Sequence, residues 1–197
     1  MEAEFACLLP AAGGSERLGR AKQLVRFRQQ SLVRRSARLL LDLRPALCLV
    51  VTGADQRAVS IELDDLPLRQ VYNPDWESGM ASSIAAGVDA LPEQVGGVLI
   101  LLCDQWRVTL DDLASLLEHW RQTPERIAAA DWAGGPGAPA IFPRRLFTSL
   151  AALSGDSGAK VLINKELDSV IRVPMQAAAD DLDTAEELAI MRTFEPQ

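Results

Sequence analysis

Short apolar runs alternate with amphipathic stretches along this chain, and no other feature restricts its fold as tightly. "FACLL" (5–9), "ALCLVVT" (46–52), "RQVYN" (69–73) and "GVLILLCD" (97–104) read as strands, the last and most hydrophobic as the central one. Between them, "SLVRRSARLLLDL" has Ser31 as N-cap, with Leu32, Ser36, Leu39, Leu40 and Leu43 on one face and Arg34, Arg35 and Arg38 looking outward. "ASSIAAGVDAL" (81–91) repeats Ile84, Val88 and Leu91 at helical spacing. "TLDDLASLLEHW" (109–120) opens with Thr109 as N-cap and acids in its first turn. Further on, "RIAAAD" (126–131) and "SVIRVP" (169–174) are expected strands, and "AGGPGAPAIF" a turn running into one. "PRRLFTSLAAL" is an expected helix with Pro143 at its first position, and "TAEELAIMRTF" a final helix. The alternation predicts an α/β fold with a doubly wound sheet, in one domain over 1–197.

Such sheets gather ligands at the carboxyl ends of their strands. Three segments fall there: the loop at 10–22, the Asn73-Pro74 turn and Cys103-Asp104-Gln105. Totals narrow the ligand classes. The 197 residues are 48% hydrophobic and 24% charged, as in soluble globular chains, and the net charge of −7 argues against nucleic acid as a partner. A local cluster of cations can still hold a small anion. No apolar run approaches the roughly 20 residues of a membrane helix, so no membrane partner is expected. Met1-Glu2-Ala3-Glu4 is acidic where a secretory leader is basic. Cys7, Cys48 and Cys103 are odd in number and set in apolar sequence, which reads as reduced core thiols and a cytoplasmic location.

The loop "LLPAAGGSERLGRAKQLV" (8–25) joins an apolar run to two adjacent glycines and then to Arg17, Arg20 and Lys22. It is neither a Walker A loop, since Arg20-Ala21 stand where Lys and Ser or Thr are needed, nor a G-x-G-x-x-G fingerprint. Small residues at Ala11, Ala12, Gly13 and Gly14 would let backbone N–H groups approach a polyphosphate, with Arg17 and Lys22 neutralising it. A turn with a solvated basic edge is the alternative. Asp104 ends the central run, either as a turn or capping residue or as a Mg²⁺ ligand beside phosphates. Gly79, Ser82 and Ser83 form a tight turn into a helix, with a pair of capping hydroxyls as the plain explanation. Trp76, Trp106 and Trp132 fall in loops, either as packing plugs or as stacking surfaces for a flat heterocycle. His119 reads as a solvated residue near a helix C-terminus.

These residues carry a resemblance. "LPAAGGSERLGRAKQL" resembles A-A-G-x-S-x-R-x-G-x-x-K, the signature of the molybdenum cofactor cytidylyltransferase and guanylyltransferase group of nucleotidyltransferases. Ala11, Ala12, Gly13, Ser15, Arg17, Gly19 and Lys22 meet its fixed positions. In order along the chain, "NPDWESGMASSIAAGV", "LLCDQW", "GGPGAPAIFPRRLF", "LSGDSGAKVLI" and "DLDTAEEL" resemble further blocks of that family. Trp106 and Ala185 stand where the family pattern has proline. The resemblance implies a Rossmann-like mixed sheet of the nucleotide-diphospho-sugar-transferase type.

It also implies transfer of CMP from CTP to the molybdopterin form of the molybdenum cofactor, with Mg²⁺ as cofactor and pyrophosphate released. Pro10, Ala11, Ala12, Gly13, Gly14, Ser15, Arg17 and Lys22 would bind the nucleotide, with Gly79, Ser82 and Ser83 at its base and ribose. Arg17, Lys22 and Asp104 would be catalytic. The terminal block would supply the second metal ligand; Asp181 and Asp183 both qualify and Asp183 is favoured, the alternative for it being the N-cap of the last helix. Pro10-Ala11-Ala12 is closer to the cytidine-using branch than to the guanosine-using one. GTP as donor, another phosphorylated small molecule as acceptor, and a non-catalytic nucleotide-binding role are the rival expectations. A molybdoenzyme or its chaperone is the macromolecular partner such an activity admits.

Overall fold

The computed structural model describes residues 4–156 and 158–194. The acidic Met1-Glu2-Ala3 start and Ser157 of the "LSGDSGAKVLI" block lie outside the described residues. Strand β1 (Phe5–Ala11) leads into the phosphate-type loop; a small hairpin follows, β2 (Arg26–Phe27) and β3 (Gln30–Ser31), and then α1 (Leu32–Asp42). Next come β4 (Leu47–Thr52), α2 (Gln56–Leu63), β5 (Arg69–Tyr72), α3 (Met80–Asp89), β6 (Gly97–Ile100) and α4 (Leu110–Gln122). The remaining elements are β7 (Ala128–Trp132), β8 (Gly135–Pro143), α5 (Phe147–Ala151), α6 (Lys160–Lys165), β9 (Ile171–Pro174) and α7 (Ala185–Thr193).

Seven strands form one sheet in the order β5-β4-β1-β6-β8-β7-β9. The expected central strand is at its centre. β5, β4, β1 and β6 run parallel to one another, whereas β8 is antiparallel to both β6 and β7, and β9 is parallel to β7. The mixed, doubly wound sheet is therefore as expected. The chain leaves β1 toward β4 on one side and returns to β6 on the other, so the loop after β1 opens at the switch point where such sheets bind ligands.

The period-2 side-chain alternation of β1 sorts its residues onto two cores. Phe5, Cys7, Leu9 and Ala11 pack with residues of α1, α2 and α4, including the buried Trp120. Leu8 packs on the other face with Ile84 and Val88 of α3, Phe142 of β8 and Leu162 and Ile163 of α6. A third cluster joins Val25, Phe27 and Leu32 to Trp106 and to Leu182, Leu188 and Met191 at the C-terminal end. Trp106 is 3% exposed and stands edge-on to Phe27 and Phe194, each at 5.2 Å between ring centroids. That cluster brings the end of the chain over the first loop.

Local signals held where side chains satisfy helix ends. The Ser31 hydroxyl accepts from the Arg34 N–H, and Thr109 forms a capping box with Asp112. Thr184 forms another with Glu187, so Thr184, not Asp183, caps the last helix. Two expectations are corrected. The run 97–104 is a strand only to Ile100, because β8 pairs with it over Gly97–Ile100 and the backbone then turns, with the Trp106 N–H donating to the Asp104 carbonyl. Pro143 ends β8 rather than opening a helix, and Arg144–Leu146 form a short 3-10 turn before α5. The hairpin β2–β3 and helices α2 and α6 were not anticipated. No helix of the described residues is long and apolar enough to cross a membrane.

Candidate active site

A cleft of about 910 Å³ opens along the carboxyl ends of β1 and β6. Its lining includes Pro10, Ala11, Ala12, Gly13, Gly14, Ser15, Arg17 and Lys22 from the first loop, Gly79 and Ser83 from the turn into α3, and Asp104 and Asp183. Twelve of the thirteen candidate residues for nucleotide and metal other than Asp181 thus line one surface, and the exception is Ser82. The Ser82 hydroxyl donates to the Asp75 and Gly79 carbonyls and accepts from the Asn73 amide, so it braces the turn. Ser83 reaches the cleft wall, and its hydroxyl accepts from the same amide.

The loop keeps its shape through a residue that sequence reasoning passed over. Gln23 is buried, and its amide donates to the carbonyls of Ala11 at 3.2 Å and Gly13 at 2.6 Å. The Ser15 hydroxyl donates to Gln23 Oε1 and accepts from the Lys22 N–H. Carbonyls drawn inward to Gln23 cannot crowd the cleft with negative charge. The signal was an uncharged polar residue next to the lysine, easily read as loop filler. Gly14 allows a second unforeseen contact: a Cβ there would lie 3.3 Å from the Trp76 ring, so the indole packs on the loop. Gly79 has φ +103°, and a Cβ on it would meet the Asp156 carboxylate and the Gly155 carbonyl. Only glycine lets those two turns touch.

At the cleft's end the charged groups form one chain. Lys22 Nζ lies 2.5 Å from Asp104 Oδ2 and 3.0 Å from Asp183 Oδ1, and Arg17 Nη2 lies 2.8 Å from Asp183 Oδ2. Burial works against the Lys22 charge, but the Asp104 carboxylate and hydrogen bonds to both aspartates outweigh it and raise its pKa. Asp183 loses some hydration as well, yet Lys22 and Arg17 hold its carboxyl below the usual range. Asp181 goes the other way. Burial, with Asp104 and Asp183 beside it, raises its carboxyl.

Asp104 Oδ1 is buried and has no hydrogen-bond partner. An orphaned carboxylate oxygen beside a second carboxylate suits a hard divalent cation, which commonly takes one or two protein carboxylates and completes its shell with phosphate and water. Among the described residues no group of three or more His, Cys, Asp or Glu side chains is poised around a metal. The donor set therefore fits an ion that is shared with a ligand, not one caged by protein alone.

A second cavity of about 250 Å³ adjoins the cleft, and Met80, Leu102, Asp104 and Asp156 line both. Its walls include Ile84, Ile100, Trp132 and Phe142, and Asp181 faces it instead of the cleft. The three tryptophans thus separate. Trp76 belongs to the cleft and Trp132 to the cavity, while Trp106 is sealed in the aromatic cluster and cannot offer a stacking face. For Trp106 the packing alternative therefore holds: the indole stands between Phe27 and Phe194 and packs with Leu182, Leu188 and Met191 of the C-terminal block. Gln105 fixes Asp104 from beneath, its amide donating to the Ala138 and Ala178 carbonyls. His119 is exposed on α4, with Nδ1 2.8 Å from the Ser115 carbonyl, and does not line either space. The three cysteines are buried free thiols; burial pushes Cys48 and Cys103 up to about 12, which removes them as nucleophiles.

Comparison with known proteins agrees with this architecture. A nicotine blue oxidoreductase of Paenarthrobacter nicotinovorans is 33% identical over 192 residues, covering 92% of this chain and 93% of that protein. The Rv0371c structure from Mycobacterium tuberculosis H37Rv superposes with a TM-score of 0.86 at 23% identity, over 97% of this chain and 98% of that one; it has also been solved as a complex with manganese. A nucleotidyl transferase from Methanothermobacter thermautotroptrophicus gives a TM-score of 0.80 at 18% identity over 96% of each chain. Residues 7–170 match the family described as the MobA-like NTP transferase domain. With that match spanning most of its length, the chain belongs to the MobA-like NTP transferase family and is an enzyme of the nucleotidyltransferase type.

Proposed function

We propose that this enzyme transfers CMP from CTP to a phosphorylated pterin-type acceptor, the molybdopterin form of the molybdenum cofactor, and releases pyrophosphate. The observation that carries the reading is the chain of charges Arg17, Asp183, Lys22 and Asp104 at the mouth of a small-residue loop, with an apolar cavity meeting it at Asp104. A triphosphate needs the cations and the loop N–H groups; an acceptor with a flat ring needs the cavity and Trp132.

In the reaction, an acceptor phosphate oxygen attacks the α-phosphorus as the bond from that phosphorus to the bridging oxygen breaks, and the electron pair leaves with pyrophosphate. Lys22 and Arg17 stabilise the charge that gathers on the departing group. Asp104 and Asp183 would hold Mg²⁺, which supplies positive charge at the reacting phosphate. The manganese complex of Rv0371c supports a divalent ion in this fold. An ionised phosphate needs no general base, which agrees with a lone histidine outside both spaces. Pro10, Ala11 and Ala12 would meet the base, and their small side chains favour cytosine over guanine in this reading.

The experiment is pyrophosphate release with CTP or GTP and molybdopterin. Release that needs both CTP and acceptor supports the reading; release with GTP alone as donor reassigns the base. A second reading, an oxidoreductase acting on a flat heterocycle in the cavity, is favoured by the name of the Paenarthrobacter relative. The same assay separates it, because reduction yields no pyrophosphate.

A further inference from the structure

In the free protein the four charged groups of the cleft are satisfied by one another. Lys22 Nζ stands between Asp104 Oδ2 and Asp183 Oδ1, and Arg17 takes the other oxygen of Asp183. An ammonium with two carboxylates at 2.5 and 3.0 Å engages the lone pairs that a divalent cation shared by those carboxylates would use. Of the four oxygens only Asp104 Oδ1 is left buried without a partner. One free oxygen is a poor start for an ion that wants a near-octahedral oxygen shell.

We propose that Lys22 is a placeholder cation: it closes the metal position of the free protein and yields it when a triphosphate arrives to take the ammonium, so that metal and triphosphate enter as a pair. The inference rests on the reading of Asp104 and Asp183 as the metal's carboxylates. A metal entering alone must displace an ammonium held by two ion pairs and then sit beside that charge. A triphosphate entering alone must approach two carboxylates. When both enter, Lys22 and Arg17 turn to phosphate oxygens while Asp104 and Asp183 turn to the metal, and every charge keeps an opposite partner. The residue types suit the exchange. Lysine carries its charge on a flexible four-carbon stem, and the Arg17 side chain, 74% exposed, is held by Asp183 alone among the ion pairs of the cleft.

The test is Mn²⁺ titration of the full chain, read from the paramagnetic resonance signal of free Mn²⁺, with inorganic triphosphate as the second ligand. Complexation of Mn²⁺ by triphosphate in buffer is subtracted from a protein-free titration. Mn²⁺ alone is expected to bind the wild type weakly and to be tightened by triphosphate by about tenfold or more. Lys22→Met removes the ammonium and keeps most of the stem. Mn²⁺ alone should then bind about tenfold more tightly than to the wild type, and the gain from triphosphate should shrink.

Equal or weaker binding of Mn²⁺ alone to a folded Lys22→Met chain overturns the proposal. Should that variant not fold, the wild type decides: Mn²⁺ held as tightly without triphosphate as with it overturns the placeholder, and retention only with triphosphate supports it. A wild type and variant that bind no Mn²⁺ under either condition overturn the metal reading and this inference together. None of these outcomes depends on the base or the acceptor.

Discussion

Asp104 is shared by two spaces that both carry charged groups but differ in how the rest of their walls is made. The cleft is floored by the backbone of a small-residue loop and ringed by Arg17, Lys22 and Asp183, whereas the cavity is walled by Ile84, Ile100, Trp132 and Phe142. The cleft belongs to the parallel side of the sheet, where one strand and its following loop supply half of the lining. The cavity lies on the antiparallel side, where β8 supplies Gly137, Ala138, Ala140 and Phe142, β7 adds Trp132, and α6 adds Lys160 and Ile163. Charge held by a contiguous loop suits a ligand common to a whole class of enzymes. Apolar walls collected from distant segments are where one member can differ from another.

The largest expected effect falls at the shared residue. Asp104→Asn should lower the turnover of nucleotidyl transfer by roughly 10³-fold while the circular dichroism of the fold is kept. Activity within a few-fold of wild type would make Asp104 a turn residue and leave the two spaces unconnected by chemistry. Trp106→Ala should come next, and it should act on folding. Removing an indole that is 3% exposed between two aromatic rings should cost about 3 kcal/mol in denaturant unfolding. The KM values for nucleotide and acceptor should stay unchanged in the folded fraction; a raised acceptor KM would return Trp106 to the cavity.

How much of this could be read in advance differs between the two spaces for the same physical reason. The loop from Pro10 to Lys22 carries its chemistry in consecutive residues, so glycines, cations and strand end were visible together. Ser31 and Thr109 also signalled their helices, because a capping bond spans only three residues, whereas the cap of the last helix is Thr184, one residue beyond the Asp183 that the sequence offered. Gln23 was missed because its partners are backbone carbonyls, which leave no mark in side-chain sequence. Asp183 and Asp181, two residues apart with the buried Leu182 between them, face different spaces, and spacing alone does not say which carboxylate meets Lys22. The three tryptophans looked alike as loop residues, since exposure depends on Phe27 and Phe194 arriving from opposite ends of the chain.

A smaller effect sharpens the contrast from the cavity side. Trp132→Ala should raise the KM for the acceptor about tenfold, the worth of a lost ring contact, with the KM for nucleotide unchanged. Equal effects on both substrates would mean that cleft and cavity form one space. The smallest effect is on the thiols. Burial pushes Cys48 and Cys103 up to about 12, so their stabilising contribution is full below the ordinary thiol range and is lost as pH rises from there toward about 12. A melting temperature that is flat from about pH 6 to 8 and declines above it, with thiols silent to a disulfide reagent at pH 8 in the native protein, is the expected result.

Whether the cleft hands a nucleotidyl group, with its α-phosphorus, to an acceptor in the cavity can be followed with labelled nucleotide. CTP carrying ³²P at the α-position, incubated with acceptor and Mg²⁺, should pass its label to the acceptor, and CTP labelled at the γ-position should release its label as pyrophosphate. A γ-label found on the acceptor would mean phosphoryl transfer, and an acceptor left unlabelled by both nucleotides while it is reduced would mean that the cleft serves a different chemistry.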